Sequence, residues 1–198
     1  MRDIPLYKQS FEFSCGPAAL MMVMKSLDPD LIIDRSLELD IWRDSALMES
    51  RGTSSFGLGL AALRRGYEVV VQTDCRKIGF IDILRDRFPD IDVEFMEMLF
   101  DHTRDEATKE GVNWDKRHLY MDDIVRAVNR GSSPIVLISS EMMGEEEGIP
   151  HWVVVVEVDE GSVVMNNPET AMRERYERDH FDRYLGFSGN RCMILLEI

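Results

Sequence analysis

Two apolar runs of opposite character divide the chain. Near the N-terminus, Ala18-Ala19-Leu20-Met21-Met22 is built from strong helix formers, and Pro17 just before it suits a first helical turn, where its missing N–H would have no partner anyway. Near the C-terminus, His151-Trp152-Val153-Val154-Val155-Val156-Glu157-Val158 is β-branched and aromatic, which predicts a strand. Between them, Asp28-Pro29-Asp30 reads as a turn, and a second helix runs from about Arg35 through Trp42 towards Met48. Gly52-Thr53-Ser54-Ser55 breaks the chain and offers an N-cap to a helix over 56–65, which Gly66 ends. Alternation over 67–72 predicts a strand, 78–88 a helix stopped by Pro89, and 92–96 a further strand. Apolar residues at helical spacing over 119–129 are closed by Arg130-Gly131, and 135–138 is a short buried strand. The 151–158 strand pairs with a return strand over 161–165 across the turn Asp159-Glu160-Gly161; 172–184 reads as partly helical and 193–198 as a last strand. Helices crowd the first half and antiparallel strands the second, an α+β arrangement.

Composition narrows the setting. A length of 198 residues suits a single domain with a proper core. The net charge of −14 argues against nucleic acid or anionic lipid as a partner, because neutralising phosphates takes Lys and Arg. Three cysteines, an odd number, speak against a disulfide framework and for a reducing compartment. The start, Met-Arg-Asp-Ile-Pro-Leu-Tyr-Lys, has no apolar signal segment, and no apolar run is long enough to enter a bilayer, so a cytoplasmic location is expected. No Cys-x-x-Cys, His-Glu-x-x-His or acidic Ca²⁺ loop is present, and Gly57-Leu58-Gly59-Leu60 lacks the residues of a phosphate loop, so neither a metal nor a cofactor is expected.

Against that background one thiol is placed for chemistry. Cys15, in Ser14-Cys15-Gly16-Pro17, falls where a loop gives way to a helix, at the positive end of the helix dipole, which favours thiolate over thiol. Gly16 lets a substrate carbonyl approach, and Gln9, six positions before Cys15, can donate to an oxyanion together with a backbone N–H. Of four histidines, His151 stands at the start of a strand, where a sheet can hold an imidazole. Asn167, sixteen positions on, can reach it across the hairpin and orient the ring, with Asn166 as a rival. A lone cysteine among Ala and Leu is ordinarily a buried apolar side chain; the ordered set Gln9, Cys15, His151, Asn167 is what carries the reading. Cys75 sits near a strand end beside Arg76 and Lys77, Cys192 in an apolar strand; His102, His118 and His180 look solvated. The segment from Ser139 to Pro150, rich in Glu and Gly, reads as a rim loop: either a lid or selector for a basic residue, or a solvated connection, with its carboxylates raising the pKa of His151.

Gln9…Ser14-Cys15-Gly16-Pro17-Ala-Ala-Leu, His151-Trp152-Val-Val-Val and Asn166-Asn167-Pro168 together resemble cysteine peptidase family 39, the double-glycine, bacteriocin-processing type of papain-like peptidase. The likeness is strongest over 4–70 and 149–168 and leaves roughly 98–118 unmatched; residues 36–70 resemble a branch of free-standing and acetyltransferase-associated members. It implies a papain-like fold, N-terminal helices packed on a C-terminal antiparallel sheet. It implies a peptide or protein substrate cut after small residues in a leader peptide, and an acetyltransferase as a candidate partner. The family's usual third residue is the Asp of an Asp-Pro pair; Asn167-Pro168 stands in its place, and an amide stabilises an imidazolium less than a carboxylate does. The same triad can also serve an acyltransferase or amidohydrolase, and the fold can persist as an inactive binding module.

Overall fold

The computed structural model describes residues 3–47, 50–87 and 90–197. In chain order the elements are α1 (Cys15–Leu27), α2 (Arg35–Ser45), α3 (Ser55–Leu63), β1 (Glu68–Gln72), α4 (Ile81–Arg87), α5 (Val93–Glu110), β2 (Asn113–Asp115), α6 (Met121–Asn129), β3 (Ile135–Ser139), β4 (Pro150–Val158), β5 (Ser162–Asn167), β6 (Met172–Glu177), α7 (Arg178–Arg183) and β7 (Met193–Glu197). The strands form one sheet in the order β2-β1-β7-β3-β4-β5-β6. Its neighbours pair antiparallel except β1 and β2, which run parallel and bring the N-terminal half into the same sheet.

Strand alternation sorts the core into two layers. Leu137, Trp152, Val154, Val156 and Val164 pack with α1, α3 and α5. Val136, Val153, Val155, Val163 and Met165 face the other way, onto Ile124 of α6 and Phe181 of α7. Covered on both faces, β3 and β4 are apolar almost throughout rather than alternating. Helix α1 is apolar on every side because it is enclosed: Cys15 to Met24 are all buried. Among the described residues no helix is long and apolar enough to cross a membrane.

Several elements depart from the sequence expectation. Residues 92–96 are not a strand; Asp92 caps α5 by accepting from the Phe95 N–H at 2.9 Å, and the helix buries Met96, Phe100 and Ala107. That helical face emerges only over more than two turns, whereas the five-residue window looks alternating. Helix α4 starts at Ile81 rather than 78, and its expected stop, Phe88-Pro89, lies outside the described residues, as do the Met48 end expected for α2 and Ile198. The first half of 172–184 is the edge strand β6, whose Arg and Glu residues keep that edge from pairing further. The rim segment opens with a 3₁₀ turn, Ser140–Met143, with Ser140 and Met142 buried, so its first half is packed into the body.

Candidate active site

Cys15 is the first residue of α1, and the loop before it leaves that helix end open. Ser14 occupies the N-cap but makes no side-chain cap bond. Its hydroxyl donates to Glu38 Oε1 at 2.6 Å and accepts from the Phe11 N–H at 3.1 Å. The first N–H groups of a helix have no intrahelical partner, and Pro17 has none to offer, so Cys15 and Gly16 supply the donors at the tip. Gly16 suits the space: a Cβ there would meet Thr53 Oγ1 and press on Trp152 unless those side chains moved.

His151, the second residue of β4, is 5% exposed and Cys15 8%. Thiol and imidazole lie close enough for each to shift the titration of the other. On the other side of the ring Nε2 lies 2.9 Å from Asn167 Oδ1. One step on from the Val154–Asn166 pair, Asn167 stands opposite Val153, so His151 is its diagonal neighbour on the same face of the sheet. The amide is held from both ends. Oδ1 accepts from the Glu169 N–H at 3.0 Å, while Nδ2 donates to Glu174 Oε1 at 3.1 Å and lies 3.1 Å from Met143 Sδ. With Oδ1 turned to the ring, His151 carries a proton on Nε2 and presents Nδ1 to the thiol.

The pair is electrostatically poised. Burial opposes a Cys15 thiolate, but the hydrogen bond and charge of His151, with the backbone N–H groups of Trp152 and Gly16, outweigh it and lower the thiol pKa. Burial likewise opposes an imidazolium at His151, yet Cys15, then Asn167, then the charge of Glu169 push it up to about 9. The leading carboxylate felt here is Glu169, beside Asn167; Glu141 and Glu145 of the rim loop bond to Ser139 and Ser140. The other thiols go the opposite way. Burial raises Cys192, and burial followed by Asp74 raises Cys75, so Arg76 and Lys77 do not activate it.

The remaining sequence candidates fall elsewhere. Asn166 faces away from the ring: its Nδ2 donates to the Ile4 carbonyl at 3.1 Å and its Oδ1 accepts from Arg173 Nε at 3.1 Å. Gln9 is tied to the Asn167 turn through its backbone, its N–H donating to the Pro168 carbonyl at 2.8 Å. Its side-chain Nε2 donates within its own loop, to the carbonyls of Phe11 (2.9 Å) and Glu12 (3.3 Å), leaving Oε1 buried without a partner. His102 lies on α5. His118 pairs with Asp74 at 2.9 Å, and His180 is half-buried, its ring bonded to the Met142 carbonyl at 3.0 Å.

Two carboxylates escaped the sequence reading. Glu38, 0% exposed on α2, accepts from Tyr7 OH, the Ser10 N–H and Ser14 Oγ at 2.9, 2.8 and 2.6 Å, and so clamps the loop that carries Gln9 and leads to Cys15. Glu174 on β6 stands behind Asn167 and also accepts from Thr170 Oγ1 and Tyr176 OH, at 2.7 and 2.9 Å. Glu174 gives a reason for Asn at 167: an amide N–H₂ can donate to it, where an Asp would set two carboxylates side by side. Asn167→Asp is therefore expected to lower kcat/KM for peptide hydrolysis, and Asn167→Asp/Glu174→Gln to recover much of it, because a Gln amide can donate to the new carboxylate.

The sheet with helices on both faces, and the helix-borne thiol set against it, define a papain-like fold. Solved structures with this fold include the peptidase domain of Streptococcus ComA, a bifunctional ABC transporter (TM-score 0.52, 14% identity, 98% of each chain covered). They include a putative C39-like peptidase from Bacillus anthracis (TM-score 0.59, 10% identity, 99% of this chain and 96% of that one). A third is a double-glycine motif protease from an AMS/PCAT transporter, solved with its leader peptide (TM-score 0.50, 15% identity, 99% and 94%). Curated protein sequences gave no match. The sequence pattern of the Peptidase_C39 like family matches residues 4–184, and the chain belongs to that family.

Proposed function

We propose that the protein is a cysteine peptidase that cleaves an amide bond through Cys15, His151 and Asn167. The observation that carries this reading is the His151 ring held by Asn167 Oδ1 at 2.9 Å on one side, with the Cys15 thiol near enough that thiol and imidazole shift in opposite directions, towards the ion pair.

The Cys15 thiolate attacks the scissile carbonyl carbon, and the carbonyl π pair moves onto oxygen. The N–H groups at the tip of α1 stabilise that oxyanion. Gln9 is the second donor once its amide turns from the carbonyls of Phe11 and Glu12, a movement favoured by the partnerless Oε1 of its resting orientation. As the tetrahedral adduct collapses, the C–N bond breaks and the His151 imidazolium gives its Nδ1 proton to the departing amine, leaving a thioester on Cys15. Water then adds to the thioester while His151 takes its proton; the C–S bond breaks, the acid leaves and the ion pair is restored. Asn167 keeps the ring in plane throughout.

A peptide is the substrate class favoured by the family and by the leader peptide bound in one structural neighbour. Resemblance to the double-glycine type favours a small residue before the cut, whereas the cavity beside Cys15 favours a larger one. The test is turnover of a peptide library by wild type and Cys15→Ala. Cleavage by wild type, with acyl-Cys15 trapped in a rapid acid quench and both signals lost in Cys15→Ala, is the expected outcome. Undiminished cleavage by Cys15→Ala would overturn the assignment.

A further inference from the structure

Cys15 does not face a narrow slot alone. It forms part of the wall of a cavity of about 240 Å³, lined by Phe13, Leu137, Trp152 and Phe187 from the body and by Ile78 and Leu84 from the segment that enters α4 and from α4 itself. Protein interiors are close-packed, and an apolar recess with a few polar groups at a reactive atom has the make-up of a ligand pocket.

Among the polar residues in its wall, Thr53 stands next to the helix tip. The Thr53 carbonyl accepts from Trp152 Nε1 at 3.4 Å, but Oγ1 is buried with no partner. That hydroxyl lies where a Cβ on Gly16 would meet it, which puts it beside the tip of α1. A hydroxyl shut away from water without a partner is unfavourable in the free protein, and a ligand carbonyl would satisfy it. The residue whose carbonyl Cys15 attacks carries its side chain on the adjacent carbon, so a cavity with Cys15 in its wall is within its reach. A glycine would leave that space empty.

We propose that this cavity is the specificity pocket for a large apolar side chain, leucine- or phenylalanine-like, on the residue that supplies the scissile carbonyl, and that Thr53 Oγ1 donates to the backbone of that residue. The inference rests on Cys15 being the nucleophile and departs from a double-glycine cleavage site.

The test is the rate at which short peptide chloromethyl ketones ending in Gly, Leu or Phe label Cys15, read by mass spectrometry beside iodoacetamide, which reports the thiol itself. Leu and Phe reagents are expected to react at least about tenfold faster than the Gly reagent, the advantage that burying such a side chain confers. Leu84→Trp, which fills the cavity from its partly exposed side, is expected to erase most of that advantage. Thr53→Val removes a hydroxyl that makes no bond in the fold; it is expected to keep or raise the melting temperature while slowing the Leu reagent about fivefold. A Gly reagent as fast as the others, with Cys15 still alkylated by iodoacetamide in a His151-dependent way, would overturn the pocket and leave the hydrolase standing. A Cys15 inert to every reagent would overturn both.

Discussion

His151→Ala is expected to lower kcat/KM for peptide hydrolysis about 10,000-fold, the scale on which triad members act. The loss has two sources. The hydrogen bond and charge of His151 are the foremost influences favouring the Cys15 thiolate. Without them burial prevails, the thiol stays protonated at neutral pH, and attack slows. The departing amine also loses its proton donor, so the acylation step fails even for the thiolate that remains. Asn167→Ala is milder, because the ring keeps its place on β4 and loses only the partner that holds Nε2. Steady-state kinetics on one peptide, with circular dichroism to establish that each variant is folded, separates these cases. A His151→Ala enzyme within tenfold of wild type would mean that another group takes the proton.

The second large effect concerns stability. Glu38→Ala is expected to destabilise the fold by about 3 kcal/mol or more, since Tyr7 OH, the Ser10 N–H and Ser14 Oγ lose their acceptor in a site closed to water. For a chain of this size that is a fall of roughly 6–12 °C in melting temperature. Glu38→Gln is expected to cost much less: its Oε1 can still accept from Ser10 and Ser14, and its amide can donate to the Tyr7 oxygen. Activity should fall with Glu38→Ala even below its melting point, because the loop that Glu38 holds carries Gln9 and ends at Cys15. Thermal unfolding of the two variants measures the difference; equal melting temperatures for Ala and Gln would show that the carboxylate clamp is immaterial.

The parts of the site legible in the sequence are those whose chemistry is local. Cys15 is marked by the helix start that Pro17 permits and His151 by the β-branched run it opens, and both stand where those signals put them. Choosing between Asn166 and Asn167 needed the register of β5 against β4, which sends neighbouring side chains to opposite faces. Glu38 and Glu174 were illegible for a different reason. One sits in a charged helix and the other in a charged edge strand, segments that look solvated until the N-terminal loop folds over the first and the Asn167 turn docks on the second. The parallel β1–β2 pair was hidden as well, since α4 and α5 separate the two strands and β2 is three residues long. Helix α5 is obscured at its start because Asp92, its cap, opens a five-residue window that alternates as a strand does. The cavity at Cys15 draws its lining from loops, β3, β4, α1, α3, α4 and α5, and no run of sequence announces it.

One measurement bears most directly on the Cys15–His151 pair: the pH dependence of Cys15 alkylation by iodoacetamide, followed by mass spectrometry with Cys75 and Cys192 as internal references. The sign follows from the two shifts. Cys15 is lowered, so thiolate forms below the ordinary thiol range; His151 is raised to about 9, so the imidazolium persists beside it until the pH passes that value. The expected profile for Cys15 is a rate that rises below the ordinary thiol range, ahead of the other two cysteines, with hydrolysis declining above about pH 9 as the imidazolium loses the proton the leaving amine needs. Cys75 and Cys192, both raised, should react slowly over the same range. A Cys15 rate that climbs only through about pH 8.5, as for a free thiol, and that ignores His151→Ala would contradict the ion pair and the hydrolase built on it.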